Sequence, residues 1–420
     1  MQKNNSIYAS YKDINTENKT ILLRVDINSP IVLNRIDNSK RIIESVKTIK
    51  LFKKKRAKIV ILAHQGRYGD ENFTDLKQHS EIINKYTSIK YIPDIIGKKA
   101  IKAIKALKPG DAILLENLRF LDEEKHPPED IKKNRIVMTL APLADIYIND
   151  AFSNSHRAHT SITEFAKILP AYTGPILEEE LDALLKLDKN KITHPIVYIL
   201  GGAKIQEPII LLKAKKNIDC VLSCGLFAQA CLLTQGFDFG AQREYLKNIG
   251  IEKNNELNQL IKLIKEHKII TPIDFAVKNN NRRVELKLSQ FPSKYEIFDI
   301  GEKTITKYLS IIRGAKTIFL KGAPGDFEDE NFSKGTKVLF SAIAKSNAFS
   351  FMGGGHTSGA IKKFKITGFS HVSLSGGAML DYLAGKKLPG LEALKQSKKS
   401  SKFVKFNSLD KIKTSQYSTG

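Results

Sequence analysis

Two histidines and an arginine follow one short apolar segment of the chain. The segment ADIYIND is followed by AFSNSHRAH, which brings together His156, Arg157 and His159. A guanidinium can form two parallel hydrogen bonds to a phosphate or a carboxylate, and an imidazole can add a further one. A single loop of this kind is often an ordinary solvated turn. Whether this loop indicates a binding site therefore depends on whether similar groups follow the neighbouring apolar segments.

The other apolar segments in the first half of the chain also end in cationic and polar side chains. These segments run into RVDIN, AHQGR and ENLR, and Arg41 begins the helical stretch after the first loop. In an open parallel sheet, ligands bind beyond the carboxyl ends of the strands, so these side chains should converge. The convergence predicts a site for a small anion that carries at least one phosphate. The candidate residues are Arg24, Asp26, Asn28, Arg41, His64, Arg67, Arg119 and Arg157.

The second half of the chain places glycines at the corresponding positions. The motifs are GGAK (201–204), KGAPGDFE (321–328), GGGHT (353–357) and SGGA (375–378). Glycine lets the backbone approach a phosphate, and a helix that begins there directs its amide groups at the phosphate. None of the motifs is the dinucleotide fingerprint or the phosphate loop of NTPases. Together they predict a nucleotide polyphosphate site of another type.

A phosphorylated anion in one half and a nucleotide in the other predict phosphoryl transfer. That chemistry requires positioning and charge neutralisation, and closure of two domains would exclude water. Near-continuous apolar segments that alternate with helical stretches predict parallel sheets covered on both faces. The expected fold class is α/β, with two doubly wound parallel-sheet (Rossmann-like) domains joined by a hinge helix, ILEEELDALLKL. The predicted domains are 1–172 and 173–390, with a C-terminal segment at 391–420.

The composition of the chain limits the classes of protein to which it can belong. The chain has 420 residues, a hydrophobic fraction of 42% and a net charge of +24. No apolar stretch approaches the ~20 residues of a membrane helix, and the N-terminus is unlike a signal peptide, so a cytoplasmic protein without a membrane partner is expected. The lysine runs are typical of solvated helix faces. Cys220, Cys224 and Cys231 favour small buried thiols over a zinc site.

The motifs, taken in order, resemble the phosphoglycerate kinase family over nearly the whole chain. The family's RVDFNVP appears as RVDINSP (24–30), SHLGRP as AHQGRY (63–68), and LLENLRF is unchanged (114–120). NDAFGTAHRAH appears as NDAFSNSHRAH, and GGAK, the FE and KGT motifs of 327–336 and LPG (388–390) are also present. GGGHT and DYLAGKKLPG resemble the archaeal branch of the family.

The resemblance implies a phosphotransferase that moves a phosphoryl group between 1,3-bisphosphoglycerate and ADP, giving 3-phosphoglycerate and ATP with Mg²⁺. It implies that the first-half residues bind 3-phosphoglycerate and that the chain end, including Phe403, Val404, Phe406 and Leu409, packs on the N-terminal domain. The implied catalytic residues are Arg41, Lys204, Gly354 and Gly377. The implied nucleotide-binding residues are Gly201, Gly202, Lys204, Glu328, Gly353, Gly354, Gly355, His356 and Thr357.

The sequence departs from the family pattern on the nucleotide side. Pro208 stands where the family has a second lysine near the transferred phosphate, so another cation should compensate. His356 replaces a metal-linked Asp, and an imidazole is a poor Mg²⁺ ligand. The metal ligands therefore stay open: we expect phosphates and water to hold the ion, with Asp326 as a possible helper. Lys321 stands where the family usually has Asn.

Other classes of protein predict different features. A nucleic-acid-binding protein would use the positive charge with stacking aromatics along one face, but Trp is absent. A dehydrogenase would carry the dinucleotide fingerprint. A catalytically inactive relative would explain Pro208 and His356. No dedicated nucleic-acid partner is expected; the expected state is a monomer, with a homodimer as the alternative.

Overall fold

The computed structural model describes residues 7–187, 192–215, 217–251 and 255–399. The chain divides into two compact units: one runs to Asp182 and resumes at Lys387, and the other comprises Ala183–Lys386. The sequence predicts the boundary at 172/173. The apolar residues expected to anchor the chain end, Phe403, Val404, Phe406 and Leu409, lie outside the described residues.

The first unit is built on a six-stranded parallel sheet in the order β5-β6-β4-β1-β7-β8. Its central strands are continuous runs of Ile, Leu and Val with exposures near zero, as expected where helices cover both faces. A two-residue hairpin, β2–β3, lies outside this sheet. The strands are β1 (Thr20–Arg24), β2 (Ile31–Val32), β3 (Arg35–Ile36), β4 (Lys58–Leu62), β5 (Lys90–Tyr91), β6 (Ala112–Leu114), β7 (Ile146–Asn149) and β8 (Ala171–Thr173).

The longer helices of the first unit bury apolar side chains on one face. In α1, for example, Ile42, Val46, Ile49 and Phe52 follow the i, i+3, i+4 spacing of a helix face and are all buried. The helices are α1 (Lys40–Lys54), α2 (Lys77–Asn84), α3 (Lys98–Lys105), α4 (Asp122–Lys125), α5 (Arg135–Leu140), α6 (Thr160–Thr163), α7 (Phe165–Ile168) and α8 (Pro175–Leu185).

The last described helix returns to the first unit. This helix, Pro389–Lys399, packs against α6, α7 and β8. The amide of Gly390 donates to the carbonyl of Ser155 at 2.9 Å, and Leu394 is 1% exposed. A side chain at Gly390 would lie 2.7 Å from Ile162, so the helix approaches α6 closely because position 390 has no Cβ.

The second unit contains a second six-stranded parallel sheet, in the order β11-β10-β9-β15-β16-β17. Its strands are β9 (Ile196–Leu200), β10 (Cys220–Ser223), β11 (Ile269–Ile270), β15 (Thr317–Lys321), β16 (Phe349–Gly353) and β17 (His371–Val372). The helices are α9 (Gln206–Ala214), α10 (Gly225–Leu233), α11 (Ala241–Asn248), α12 (Glu256–Glu266), α13 (Glu302–Gly314), α14 (Lys334–Ala344), α15 (Gly355–Phe364) and α16 (Gly377–Leu383); the helix of the first unit at Pro389–Lys399 is α17. The predicted pair of parallel-sheet α/β domains is confirmed.

A three-stranded antiparallel sheet in the second unit was not predicted from the sequence. It consists of β12 (Asp274–Asn279), β13 (Arg282–Lys287) and β14 (Ile297–Ile300), in the order β13-β12-β14. The first two strands are joined by Asn280 and Asn281, which adopt φ of 47° and 58°. Positive φ at both central residues is the geometry of a tight hairpin turn, and asparagine tolerates it better than most residues.

Candidate anion and nucleotide sites

The anion-site candidates gather at the carboxyl edge of the first sheet because their strands are neighbours. Arg24, the last residue of β1, is in register with Leu62 of β4 on one side and Asn149 of β7 on the other. The loops after these three strands therefore leave the sheet side by side. His64, from the loop after β4, lies with Nδ1 2.6 Å from Nη2 of Arg24.

Arg24 lies beneath the cluster and is 0% exposed. Its Nε donates to Ser161 Oγ at 2.7 Å, one Nη donates to the Val25 carbonyl, and the other contacts His64. Glu124, also 0% exposed, accepts hydrogen bonds from the amide and hydroxyl of Ser161 at 2.9 and 2.6 Å. Ser161 thus bridges Arg24 to the carboxyl of Glu124; burial raises the pKa of that carboxyl, while Arg24 and the Ser161 donors act in the opposite direction and favour the carboxylate. The guanidinium of Arg24 thus supports the site from inside the protein.

Two imidazoles of the cluster, those of His64 and His159, have lowered pKa values that favour the neutral form. Burial and the neighbouring Arg24 and Arg119 lower the pKa of His64 well below its usual value. Burial, Arg119 and Arg24 also lower the pKa of His159 to about 3. Because a guanidinium can only donate, Nδ1 of His64 accepts from Arg24, and the ring proton of His64 is on Nε2. His64 is therefore a neutral hydrogen-bond donor.

Asp26 holds Arg41 at the rim of the cluster. A carboxylate oxygen of Asp26 lies 3.2 Å from Nη1 of Arg41, and the same nitrogen donates to the Asn28 carbonyl at 3.2 Å. The hydroxyl of Ser153 also donates to Asp26. Burial alone would raise the pKa of Asp26, but Arg41 and the Ser153 hydroxyl outweigh burial and hold this pKa below its usual value. The Arg41 side chain is 31% exposed, so it reaches solvent while being restrained at its base.

The remaining three arginines repel one another. Burial, Arg157 and Arg24 lower the pKa of Arg119 to about 10. Burial and the nearby Arg67 likewise lower the pKa of Arg157. Nη1 of Arg119 donates to the Gly66 carbonyl, whereas its buried Nε has no acceptor among the described residues. Burial and neighbouring guanidiniums thus lower the pKa of both Arg119 and Arg157, and the grouped positive charges favour an anion.

The structure therefore brings all eight anion-site candidates into one region of the first unit. Sequence reasoning singled out His159 but did not place it in the site, and it missed Ser153, Ser161 and Glu124. A serine or a glutamate gives no sequence signal of this role, since the same letters are common on solvated helix ends. Only the fold shows that Glu124 is buried against the arginines.

A cavity of about 400 Å³ lies in the second unit. Gly202, Glu328 and His356, from the predicted nucleotide set, contribute to its walls. The remaining walls are largely apolar or backbone, as in most small-molecule sites. They include Ala203, Gly225, Leu226, Tyr245, Phe275, Ile297, Phe298, Ala323, Pro324, Gly325, Asp326 and Phe327. The unpredicted antiparallel sheet thus contributes Phe275, Ile297 and Phe298 to this cavity.

Glycine loops follow three adjacent strands of the second sheet, β9, β15 and β16. The amide of Gly201 donates to the Lys321 carbonyl at 2.9 Å, and a side chain at Gly201 would lie 2.8 Å from the Ala323 carbonyl oxygen. Gly353 ends β16, and Gly354, with φ of 104°, precedes α15, which begins at Gly355. Thr357 is buried, and its hydroxyl accepts from the Gly322 amide at 3.0 Å.

The two other predicted catalytic residues of the second unit lie on separate segments of the chain. Lys204 is exposed between β9 and α9. Gly377 is the first residue of α16, after the edge strand β17. Neither contributes to the walls of the cavity formed by the described residues.

Two further observations concern metals and membranes. Among the described residues, no three His, Cys, Asp or Glu side chains are grouped so that they could hold a metal ion. Cys220, Cys224 and Cys231 are buried as free thiols, and burial raises the pKa of each. In the described part of the chain, no helix has the length and apolar character needed to cross a bilayer.

An α/β protein with a guanidinium-rich anion site in one unit and a glycine-lined cavity in the other has the features expected of a small-molecule phosphotransferase. The phosphoglycerate kinase family model matches residues 11–386. The phosphoglycerate kinase of Pyrococcus furiosus is 39% identical over 412 residues, covering 95% of this chain and 98% of the relative. That of Methanobacterium bryantii is 41% identical over 401 residues, covering 92% and 97%.

Solved structures agree with the sequence relatives. The crystal structure of phosphoglycerate kinase from Pyrococcus horikoshii shows 38% sequence identity and a TM-score of 0.85, and the structure of phosphoglycerate kinase from Coxiella burnetii shows 31% identity and a TM-score of 0.77. Each match covers 93% of this chain and 99% of the other. The chain belongs to the phosphoglycerate kinase family, whose members are phosphotransferases that use ATP and ADP. The predicted family, fold class and type of enzyme are confirmed.

Proposed function

We propose that this protein transfers a phosphoryl group reversibly between 1,3-bisphosphoglycerate and ADP, giving 3-phosphoglycerate and ATP, in glycolysis or gluconeogenesis. The observation that carries the proposal is the arginine cluster of the first unit. Burial and neighbouring guanidiniums lower the pKa of Arg119 and Arg157, so a dianionic phosphate would relieve the repulsion among these grouped cations. The neutral imidazole of His64 adds a donor without adding charge.

Within this site, each group has a distinct role. Arg67, Arg119 and Arg157 bind the phosphate of 3-phosphoglycerate, since their forks match its oxygens. Asn28 positions the AHQGR loop, because its side-chain oxygen accepts from the Gly66 amide at 3.0 Å. Arg24 is fully buried and orients His64, so we assign it a positioning role in place of direct substrate contact.

Arg41 is the proposed catalytic residue of the first unit. Asp26 and the Asn28 carbonyl restrain its guanidinium while the side chain remains partly exposed. In phosphoryl transfer, charge spreads over the equatorial oxygens of the group in flight, and a guanidinium directed at those oxygens stabilises the transition state. The acceptor carboxylate is already ionised at neutral pH, so the reaction needs no general base.

The second unit supplies the nucleotide site. The apolar walls of the cavity suit a base, and Glu328 on its wall suits the ribose hydroxyls. The backbone at Gly201, Gly202 and 353–355 would approach the phosphates, with Thr357 fixing the loops. Lys204 would neutralise phosphate charge, and the amides at Gly354 and Gly377 would donate to the group being transferred.

Mg²⁺ fits this site only as an ion that arrives with the nucleotide. The described residues offer no group of three ligands, and His356 on the cavity wall is not the hard oxygen ligand that Mg²⁺ prefers. One oxygen of Asp326 already accepts from the Glu328 amide, at 3.2 Å. When bound, the ion would neutralise phosphate charge, while the protein's own groups position the reactants.

A coupled assay with ATP, Mg²⁺ and 3-phosphoglycerate tests this function. We expect turnover that depends on both substrates and on the metal. Turnover that is absent although ADP and 3-phosphoglycerate both bind would identify a catalytically inactive relative. Binding to random RNA at physiological salt, without binding to either substrate, would support the nucleic-acid alternative. A cytoplasmic location and a monomeric state are part of the proposal, and light scattering distinguishes the monomer from a homodimer.

A further inference from the structure

Lys321 is a buried ammonium at the carboxyl edge of the second sheet. It ends β15, which lies between β9 and β16, and its side chain is only 5% exposed. Lysines are almost never buried unless they are paired. The partner is Glu207 in the first turn of α9, whose carboxylate lies 2.9 Å from the Lys321 Nζ.

The surroundings of this ammonium are otherwise unfavourable for a cation. A Cβ placed on Gly354 would lie 3.2 Å from Nζ of Lys321, so the ammonium sits against the residue that precedes α15. The N-terminus of a helix carries a partial positive charge and attracts anions. A cation and a helix N-terminus at one point repel each other unless an anion lies between or beside them. Glu207, whose side chain is 30% exposed, provides one such charge.

Glu207, the partner of Lys321, lies next to the position where the family pattern has a second lysine. Glu207 immediately precedes Pro208, the residue that stands where a second lysine is expected near the transferred phosphate. Pro208 is buried and has neither a charge nor a backbone donor. The Lys321 ammonium lies at the end of the adjacent strand and contacts Glu207, the residue before Pro208. It is therefore placed to provide the positive charge that Pro208 lacks.

We propose that Lys321 binds a nucleotide phosphate and supplies the positive charge that Pro208 lacks, with Glu207 pairing with the ammonium until a phosphate displaces it. This inference rests on the proposed nucleotide site of the second unit. The alternative to a phosphate-binding lysine is a static ion pair between Lys321 and Glu207 that joins β15 to α9. The two differ in one respect: a displaceable carboxylate competes with phosphate, whereas a static pair affects stability alone.

Calorimetric titration of ADP, ATP and adenosine into the whole protein distinguishes them. Lys321→Gln should weaken ADP and ATP binding by about tenfold or more, the size of one lost charge-assisted hydrogen bond, and leave adenosine binding nearly unchanged. Lys321→Arg should recover part of the loss. Glu207→Gln should strengthen ADP binding several-fold, because the competing carboxylate is removed. The matched control is Lys213→Gln, an exposed lysine of the same unit whose Nζ donates to Gln259.

The outcomes separate this inference from the proposed function. If the wild-type protein binds ADP but Lys321→Gln binds it equally well, the inference is overturned and the nucleotide site stands. If Glu207→Gln lowers the melting temperature without strengthening ADP binding, the pair is static, and this holds even if Lys321→Gln fails to fold. If the wild-type protein itself binds neither ADP nor ATP, the proposed function is overturned first.

Discussion

Asp150 makes the stability of the first unit depend on pH. It follows β7, is 1% exposed, and one carboxylate oxygen accepts from Thr48 Oγ1 at 2.6 Å. The other oxygen accepts from the amides of Ile176 and Leu177, at 2.7 and 3.1 Å, in the first turn of α8. Although these donors favour the carboxylate, burial outweighs them and raises the pKa of Asp150 from 3.8 to about 7.

The sign and size of the effect follow from this pKa. A raised pKa means that the folded state prefers the protonated acid, so this contribution to stability is present below the unfolded pKa and is lost as pH rises through about 7. Between pH 5 and pH 8 the loss is about 2.5 kcal/mol by linkage. Asp150→Asn is the test, since an amide oxygen can still accept from both α8 amides but does not titrate in this range.

Thermal unfolding followed by circular dichroism at pH 5, 6, 7 and 8 measures the effect. From pH 5 to pH 8 we expect the wild-type melting temperature of the first unit to fall by about 5–10 °C relative to that of Asp150→Asn. Other titrating groups are common to both proteins and cancel in this difference. Glu17→Gln, which removes an exposed carboxylate of the same unit, should show no such change. A difference between wild type and Asp150→Asn that stays constant over this pH range would refute the reasoning.

Substitutions at four further positions test the site and the fold. Arg41→Ala should lower kcat by about 10²–10³ with little change in KM for 3-phosphoglycerate, and Arg41→Lys should recover only part; a change in KM alone would make Arg41 a substrate anchor. Arg67→Ala should instead raise that KM strongly, as steady-state kinetics would show. His356→Ala should leave the Mg²⁺ dependence of the rate intact, and rescue of a loss by higher Mg²⁺ would contradict this. Leu394→Ala should destabilise the first unit by about 2–5 kcal/mol in denaturant titration, and an unchanged midpoint would mean that α17 contributes little.

The clustering of the anion site could be predicted because it depends on strand order alone. His64 follows β4, Arg24 ends β1 and Arg157 follows β7, and these three strands are neighbours at the centre of the sheet. The sequence reveals the apolar segments and the polar residues that come directly after each segment, and parallel strands place those ends at one edge. The position of Arg119 after β6, next to β4, is explained in the same way.

The different roles of similar residues could not be predicted. Arg24 and Arg67 both lie at the ends of apolar segments, yet the first is fully buried and the second is exposed. The difference arises because Arg24 is the last residue of a central strand, whereas Arg67 lies further along a loop. The buried Glu124 close to Arg24 also distinguishes the two arginines. Because Glu124 is distant from Arg24 along the chain, the sequence around Arg24 gives no signal of this partner.

The antiparallel sheet of the second unit has a sequence signal, although a weak one. The segments DFAVKN and RRVELK, each with a single β-branched residue, flank Asn280 and Asn281, a pair suited to a tight hairpin turn. Both strands are interrupted by lysines and arginines, which obscure the alternation. The consequence matters for the proposed function, because β12 and β14 contribute aromatic and aliphatic walls to the cavity that we propose as the nucleotide site.

The electrostatic arrangement of the first unit argues against a purely structural role for its arginines. Structural arginines are normally neutralised, as Arg283 is by Asp299 at 2.7 Å, and that contact helps to raise the pKa of Arg283 against the effect of burial. Arg119 and Arg157 show the reverse, since their pKa values are lowered by burial and by other guanidiniums. Such an arrangement destabilises the free protein, and a bound phosphate would remove part of that cost. The repulsion among these arginines would therefore itself contribute to the affinity for the proposed anionic substrate.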